Sequence, residues 1–283
     1  MRHLVAVLAA VLLLPLSTAP APAATPPVAT PPATTSPVTP EVDFTGTVSL
    51  RGCSGSVVRP PAHRPEDPAL VLTNGHCVRL LGADEVVVEE AADRAFTALS
   101  PDGESDLGTL RAAGLAYATM SGTDVALYRL TSTYAQVEAM GVKALELSPE
   151  QAEPGTDIRV VSGYWREVYS CRADGYVHEL REGRWTWRGS LRYTDTCKTI
   201  GGTSGSPVVD AATGRVVAVN NTGNEDGERC TVNNPCEVDD SGEVTVRHGA
   251  RYGQRTDLLV PCLVGGGRVD LTAPGCELPR PRS

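Results

Sequence analysis

Residues 201–220 read Gly-Gly-Thr-Ser-Gly-Ser-Pro-Val-Val-Asp-Ala-Ala-Thr-Gly-Arg-Val-Val-Ala-Val-Asn. The later part predicts a β-hairpin. Pro207–Asp210 and Arg215–Val219 are short runs rich in β-branched apolar residues, and Ala211-Ala212-Thr213-Gly214 makes the turn between them, with Gly214 free to take a positive φ. The earlier part places glycines on both sides of Ser204, so the chain can turn sharply there, expose the hydroxyl and let another molecule approach the backbone closely. A Gly/Ser loop is a weak signal by itself. One that runs directly into an apolar hairpin is specific.

Outward from this hairpin the same texture continues. Gly46–Leu50, Cys53–Val58, Ala69–Thr73, Glu85–Glu89, Asp124–Leu130 and Ile158–Ser162 are further short β-rich runs, separated by turn residues. Many short strands at this spacing indicate an all-β barrel or sandwich. Thr256–Val264 reads as a short helix near the C-terminus. Three histidines have bland settings: His63 in a Pro-rich loop, His178 in a strand-like segment and His248 among polar residues. Trp165, Trp185 and Trp187 read as packing residues, and Asp239–Glu243 as a solvated turn, because it lacks the full spacing of a calcium loop.

The ends are different. Residues 1–23 read as a secretory signal peptide: Arg2, an apolar run Leu4–Leu16 too short to span a membrane, and Ala21-Pro22-Ala23 as the cleavage region. Residues 24–41 are a Pro/Thr-rich linker or propeptide, since proline removes amide donors and keeps the backbone extended. Residues 42–283 form the folded domain, within the roughly 200–250 residues that all-β barrels reach as one unit.

The formal net charge is −9, and loss of the signal peptide removes Arg2 and no acid, so −9 − 1 = −10 for the exported chain. Such a balance disfavours nucleic acid and anionic membranes as partners. Eight cysteines in an oxidising compartment suggest four disulfides, for which sequence alone allows 105 pairings. Their spacing is not that of a zinc site. No cofactor, no metal and no stable membrane anchor are expected, and the protein is expected to be a secreted, extracellular monomer.

Two further segments carry chemistry. In Val71-Leu72-Thr73-Asn74-Gly75-His76-Cys77 an apolar strand ends in a Gly-containing corner, and His76 lands just past it. Such a histidine projects from a rigid element, and Cys77 can tie the corner to Cys53 on the preceding strand. In Thr123-Asp124-Val125-Ala126-Leu127 a carboxylate heads an apolar strand. Burying that charge costs several kcal/mol unless it is paired, and an imidazole N–H is a good partner. A nucleophile, a base and an orienting acid, with two backbone amides for an oxyanion, are what amide hydrolysis at neutral pH requires.

Taken together, Thr73–Cys77, Asp124–Leu127 and Gly202–Pro207 resemble the histidine, aspartate and serine signatures of the chymotrypsin/trypsin-like serine protease superfamily, the last in the form seen in bacterial glutamyl-endopeptidase-like members. The order His, Asp, Ser matches, with separations of 124 − 76 = 48 and 204 − 124 = 80. The resemblance covers about Gly46 to Asn221. It implies two six-stranded antiparallel β-barrels with a cleft between them, His76, Asp124 and Ser204 as catalytic residues, and the Gly202 and Ser204 amides as the oxyanion hole. The implied substrate is a protein or peptide. It also implies a Cys53–Cys77 disulfide, to which we add Cys171–Cys197, bracing the strand that leads to Ser204, and the near neighbours Cys230–Cys236 and Cys262–Cys276. Candidate specificity-pocket residues are Lys198, where trypsin carries an acid, Thr199, which matches a pocket threonine of the glutamyl branch, and Asn220, where that branch carries histidine. They leave the cleavage preference open. Thr203 stands where digestive members carry aspartate, so the loop is expected to be held by its own hydrogen bonds, with the Thr203 hydroxyl contributing. Two other classes remain: a catalytically silent relative serving as a binding module, and a serine esterase or transferase on the same machinery. The usual esterase elbow needs Gly-x-Ser-x-Gly leading into a helix, whereas Ser204 leads into a strand.

Overall fold

The structure, a computed structural model, describes residues 41–282. The signal peptide and, apart from Glu41, the linker read from the sequence lie outside the described residues. The described chain forms two β-rings. The first uses β1 (Thr47–Leu50), β2 (Cys53–Arg59), β3 (Pro68–Thr73), β4 (Val86–Glu90), β5 (Ala95–Leu99), β6 (Asp106–Thr119), β7 (Val125–Thr133) and β8 (Leu145–Glu146). Six of these close on themselves in the order β1-β5-β6-β7-β3-β2 through the β1–β2 pairing, while β4 adds to β6 and β8 runs parallel to β2.

The second ring uses β9 (Asp157–Ser162), β10 (Glu167–Glu182), β11 (Trp185–Tyr193), β12 (Pro207–Asp210), β13 (Val216–Gly223), β14 (Cys236–Val238), β15 (Val244–Val246) and β16 (Arg251–Arg255). Its closed path is β10-β11-β16-β13-β12-β9, with β14 and β15 extending from β10. A small hairpin of β17 (Leu263–Val264) and β18 (Arg268–Val269) follows. The architecture is therefore the all-β, chymotrypsin-like one expected from the sequence. The hairpin that anchored the reading is present, Pro207 facing Val219 and Val208 facing Ala218, and Gly214 in its turn has φ +71°.

Side-chain alternation explains why the key strands look apolar throughout. On β3, Val71 points into the first ring with Phe96, Ala126 and Tyr128, whereas Leu70 and Leu72 face the seam between rings with Val125 and Leu127. On β9 and β12, Val160 and Val208 fill the second ring, whereas Val161 and Val209 meet that same seam. A strand buried on both faces has no polar side to reveal its period.

The short helix expected over Thr256–Val264 is present as a 3₁₀ helix, Asp257–Cys262, ending in β17. Pro261 has no N–H to give to an α-helical ladder, and Leu259 N bonds back only three residues, to the Thr256 carbonyl at 3.0 Å. Among the described residues one α-helix forms, α1 (Tyr134–Ala139), which follows β7. It is short but doubly capped: Gln136 N donates to Thr133 Oγ1, and Thr133 N donates to Gln136 Oε1. Four disulfides join Cys53–Cys77, Cys171–Cys197, Cys230–Cys236 and Cys262–Cys276.

Candidate active site

His76 sits in a single 3₁₀ turn, Gly75–Cys77, directly after β3. The turn is pinned on three sides. Cys77 is bonded to Cys53 at the start of β2. Asn74 Nδ2 donates to the Asp124 carbonyl at 2.8 Å. Gly75 presses so closely on the neighbouring strand that a Cβ there would lie 2.2 Å from the Thr119 carbonyl oxygen. Asp124, just before β7, is fully buried, and both its carboxylate oxygens are used by one residue: the His76 amide donates to Oδ1 at 3.0 Å and the imidazole Nδ1 lies 2.7 Å from Oδ2. The two bonds together fix the ring, and His76 lines the cleft.

Burial alone would push the His76 imidazole down. The charge and hydrogen bond of Asp124, with a further contribution from the Glu182 charge, outweigh it, and its pKa stands above the ordinary histidine value. Glu182, at the end of β10, is itself buried, which pushes its carboxyl up. Hydrogen bonds from Thr222 Oγ1 at 2.6 Å and Asn233 N at 3.0 Å partly counter this.

Ser204 belongs to the second ring but is positioned by the first. Ser54 N, next to Cys53, donates to the Ser204 carbonyl at 2.7 Å, and Thr73 Oγ1, three residues before His76, donates to the Ser54 carbonyl at 2.8 Å. The two rings meet so tightly here that a Cβ at Gly205 would lie 2.0 Å from the Ser54 carbonyl oxygen, and Gly205 has φ +82°. His76, Asp124 and Ser204 line one cleft. The Ser204 hydroxyl donates to the Asn221 carbonyl at 3.1 Å, and no hydrogen bond joins it to His76 among the described residues.

The peptides around Ser204 are oriented from behind. Trp165 Nε1 donates to the Gly201 carbonyl at 2.7 Å, and Asn220 Nδ2 donates to the Thr203 carbonyl at 3.1 Å. In a planar trans peptide the N–H points opposite to the C=O. These two bonds therefore turn the Gly202 and Ser204 amides the other way, and neither amide donates to a protein acceptor among the described residues. The Thr203 hydroxyl donates to the Ile200 carbonyl at 2.6 Å, closing the loop on itself.

The candidate pocket residues separate. Thr199 and Asn220 are buried and line the cleft, although the Asn220 amide nitrogen is spent on Thr203. Lys198 is exposed and lies outside the cleft, in a separate depression with Asp174, Asp195 and Arg247, because it faces away from its neighbour Thr199. Two residues of this cleft, Glu182 and Arg251, went unnoticed in the sequence, and Trp165, read there as packing, is instead exposed beside the serine loop with its indole N–H on the Gly201 carbonyl. Each is an ordinary residue of a strand or turn, with no local motif to single it out. Among the described residues, the one group of metal-ligand atoms within reach of each other is Cys53, His76 and Cys77, and its two sulfurs are bonded together. The Asp239 carboxylate accepts from Ser241 N, Ser241 Oγ and Glu243 N, which stabilises a local turn.

A family described as the trypsin-like peptidase domain matches residues 53–219, more than half of the chain. No protein in the curated comparison matches. Similar solved structures include the MamO protease domain from Magnetospirillum magneticum, with 16% identity over 76% of this chain and 93% of that one, TM-score 0.46. A Glu endopeptidase in complex with MPD has 16% identity over 75% and 85%, TM-score 0.45. The Nocardiopsis protease has 14% identity over 76% and 92%, TM-score 0.43.

Proposed function

The chain belongs to the trypsin-like peptidase domain family, and from that premise we propose that it is a secreted serine endopeptidase with His76, Asp124 and Ser204 as its catalytic residues. The observation that carries the proposal is the fully buried Asp124, with both oxygens committed to His76, in a cleft that also contains Ser204. A buried carboxylate held this way fixes the imidazole tautomer with the proton on Nδ1 and stabilises the imidazolium that forms when Nε2 accepts a proton.

The reaction proceeds in two halves. The Ser204 hydroxyl rotates from the Asn221 carbonyl toward His76, gives its proton to Nε2, and its Oγ bonds to the substrate carbonyl carbon. The carbonyl oxygen takes up the electron pair and is held by the Gly202 and Ser204 amides. Collapse breaks the C–N bond, and Nε2 returns the proton to the departing amine, leaving an acyl group on Ser204. Water then repeats the sequence, releasing the acid and restoring the serine.

The proposal includes export of the chain, with residues 1–23 as the leader and 24–41 as a spacer or propeptide ahead of a catalytic domain at 42–283. Four disulfides are compatible with an oxidising compartment. A second reading, a silent relative acting as a binding module, draws on one observation, the Ser204 hydroxyl resting on Asn221. Fluorophosphonate labelling with a casein digest separates the two. The peptidase labels at Ser204 and digests casein, and Ser204→Ala does neither. A silent relative gives no label and no digestion.

A further inference from the structure

Beside Ser204 the cleft contains a guanidinium with no carboxylate partner among the described residues. Arg251 opens β16 and pairs across from Gly223 of β13. Its side chain lies over the Gly223 backbone: a Cβ at Gly223 would meet Arg251 Cδ at 2.4 Å and Nη1 at 2.5 Å. Its Nε donates to the Thr199 carbonyl at 2.7 Å. Nη1 reaches the Asn224 and Ala250 carbonyls only at 3.5 and 3.4 Å, and Nη2 has no protein acceptor among the described residues. Among the described residues no carboxylate lies within ion-pair distance of it, although 15 arginine–carboxylate pairs form elsewhere.

Arg251 is thus wedged between two walls of the same cleft, the loop 199–201 on one side and the strand 221–223 on the other. Both walls lead to Ser204. An acyl group bonded to Ser204 Oγ, with its oxygen at the Gly202 and Ser204 amides, has the space between these walls for its side chain. Two acids share the cleft, and neither neutralises Arg251. Both Glu182 oxygens already accept hydrogen bonds, from Thr222 and Asn233, and Glu225 is exposed and forms no ion pair.

We propose that Arg251 makes this an acid-selecting pocket, so that the residue whose carbonyl is attacked carries a carboxylate, Glu or Asp. The proposal rests on the peptidase reading above and specifies its substrate. A partly desolvated guanidinium gains a charge-assisted, bidentate partner from a carboxylate. An isosteric Gln leaves its charge unpaired, and a Lys or Arg side chain meets a like charge.

The test is a panel of otherwise identical peptides with Glu, Asp, Gln, Ala, Phe or Lys before the scissile bond, run on enzyme counted by fluorophosphonate titration. We expect kcat/KM for Glu to exceed that for isosteric Gln on the order of a hundredfold. In Arg251→Ala that ratio should collapse toward one, and in Arg251→Lys it should fall but survive. Should Arg251→Ala fail to fold, the wild-type panel and the Lys variant decide. A titratable enzyme that cuts after Gln, Phe or Lys as fast as after Glu overturns the pocket assignment and leaves the peptidase reading standing. So does a Glu preference undiminished in Arg251→Ala. Absence of both labelling and turnover across the panel removes the peptidase reading and the assignment with it.

Discussion

Replacing Trp165 with phenylalanine deletes one hydrogen bond while keeping an aromatic ring against Gly202 and Tyr164. The lost bond is the one from the indole Nε1 to the Gly201 carbonyl, 2.7 Å. At the Gly201 end nothing steric takes its place, since a Cβ there would have no neighbour within 4 Å, whereas at the Gly202 end a Cβ would lie 2.7 Å from Tyr164 Cδ1, so the bond is lost on the open side of the 201–202 peptide. Rotation that releases the carbonyl also carries the Gly202 N–H away from the developing oxyanion, because the two are rigidly opposed in one plane. The net worth of such a bond is about 0.5–1.5 kcal/mol, a several-fold change in the population of the aligned peptide. Complete loss of one oxyanion donor costs about 10²–10³ in kcat. Trp165→Phe should therefore lower kcat by roughly fivefold to a hundredfold, set by how far the peptide rotates. Because the donor acts on charge that develops only in the transition state, KM for a small ester should stay near wild type, and the pH profile should keep its midpoint. The assay is burst titration followed by steady-state kinetics, with thermal unfolding as a check on folding. A folded Trp165→Phe protein with unchanged kcat, or a loss expressed wholly in KM, refutes this account of how the loop is oriented.

The same geometry carries four further predictions. On the proposed mechanism turnover requires neutral His76, whose pKa is raised by Asp124 and Glu182 against the effect of burial, so the acid limb of kcat/KM should have its midpoint above the ordinary histidine value of about 6.5. Glu182→Gln removes a negative charge that favours the imidazolium, so the limb should move to lower pH; an upward move in a pH-rate profile would contradict this. Gly205→Ala combines a positive φ with a Cβ 2.0 Å from a backbone oxygen; a cost of at least about 2 kcal/mol is expected, and an unchanged melting temperature would show that the seam between the rings yields easily. Replacing both Cys53 and Cys77 with serine opens a disulfide of sequence separation 24 and should cost about 3 kcal/mol in denaturant unfolding; a midpoint equal to wild type would mean the other pins suffice to hold the His76 turn.

Much of this protein is legible in short windows. The β3 run and the turn after it, the carboxylate before β7, and the glycine-flanked serine ahead of the β12–β13 hairpin each state their local conformation in a few residues. Strand ends, turns and a buried charge's need for a partner are local or nearly local matters. The long β10–β11 hairpin, Glu167–Glu182 with Trp185–Tyr193, shows no comparably clean signal, since its exposed face is charged and its ends depend on pairing with β14 and β16. The 3₁₀ form of Asp257–Cys262 follows from Pro261, which a pattern of apolar residues does not weigh.

Other features have no local statement at all. That Arg251 lies across Gly223 depends on the β13–β16 register, including the irregularity between Asn220 and Thr222. That Trp165 reaches the Gly201 carbonyl depends on where the β9–β10 turn meets the serine loop. That Lys198 leaves the cleft while Thr199 enters it depends on which way one residue faces. From sequence alone, then, come the residue types that can perform acyl transfer and the strands that carry them. Which charges share the cleft with Ser204, and so which side chain the cleft would favour, is decided only when non-adjacent strands pair. Hydrogen-bond register between distant strands is set by burial over the whole ring, and nothing in the neighbourhood of a single residue encodes it.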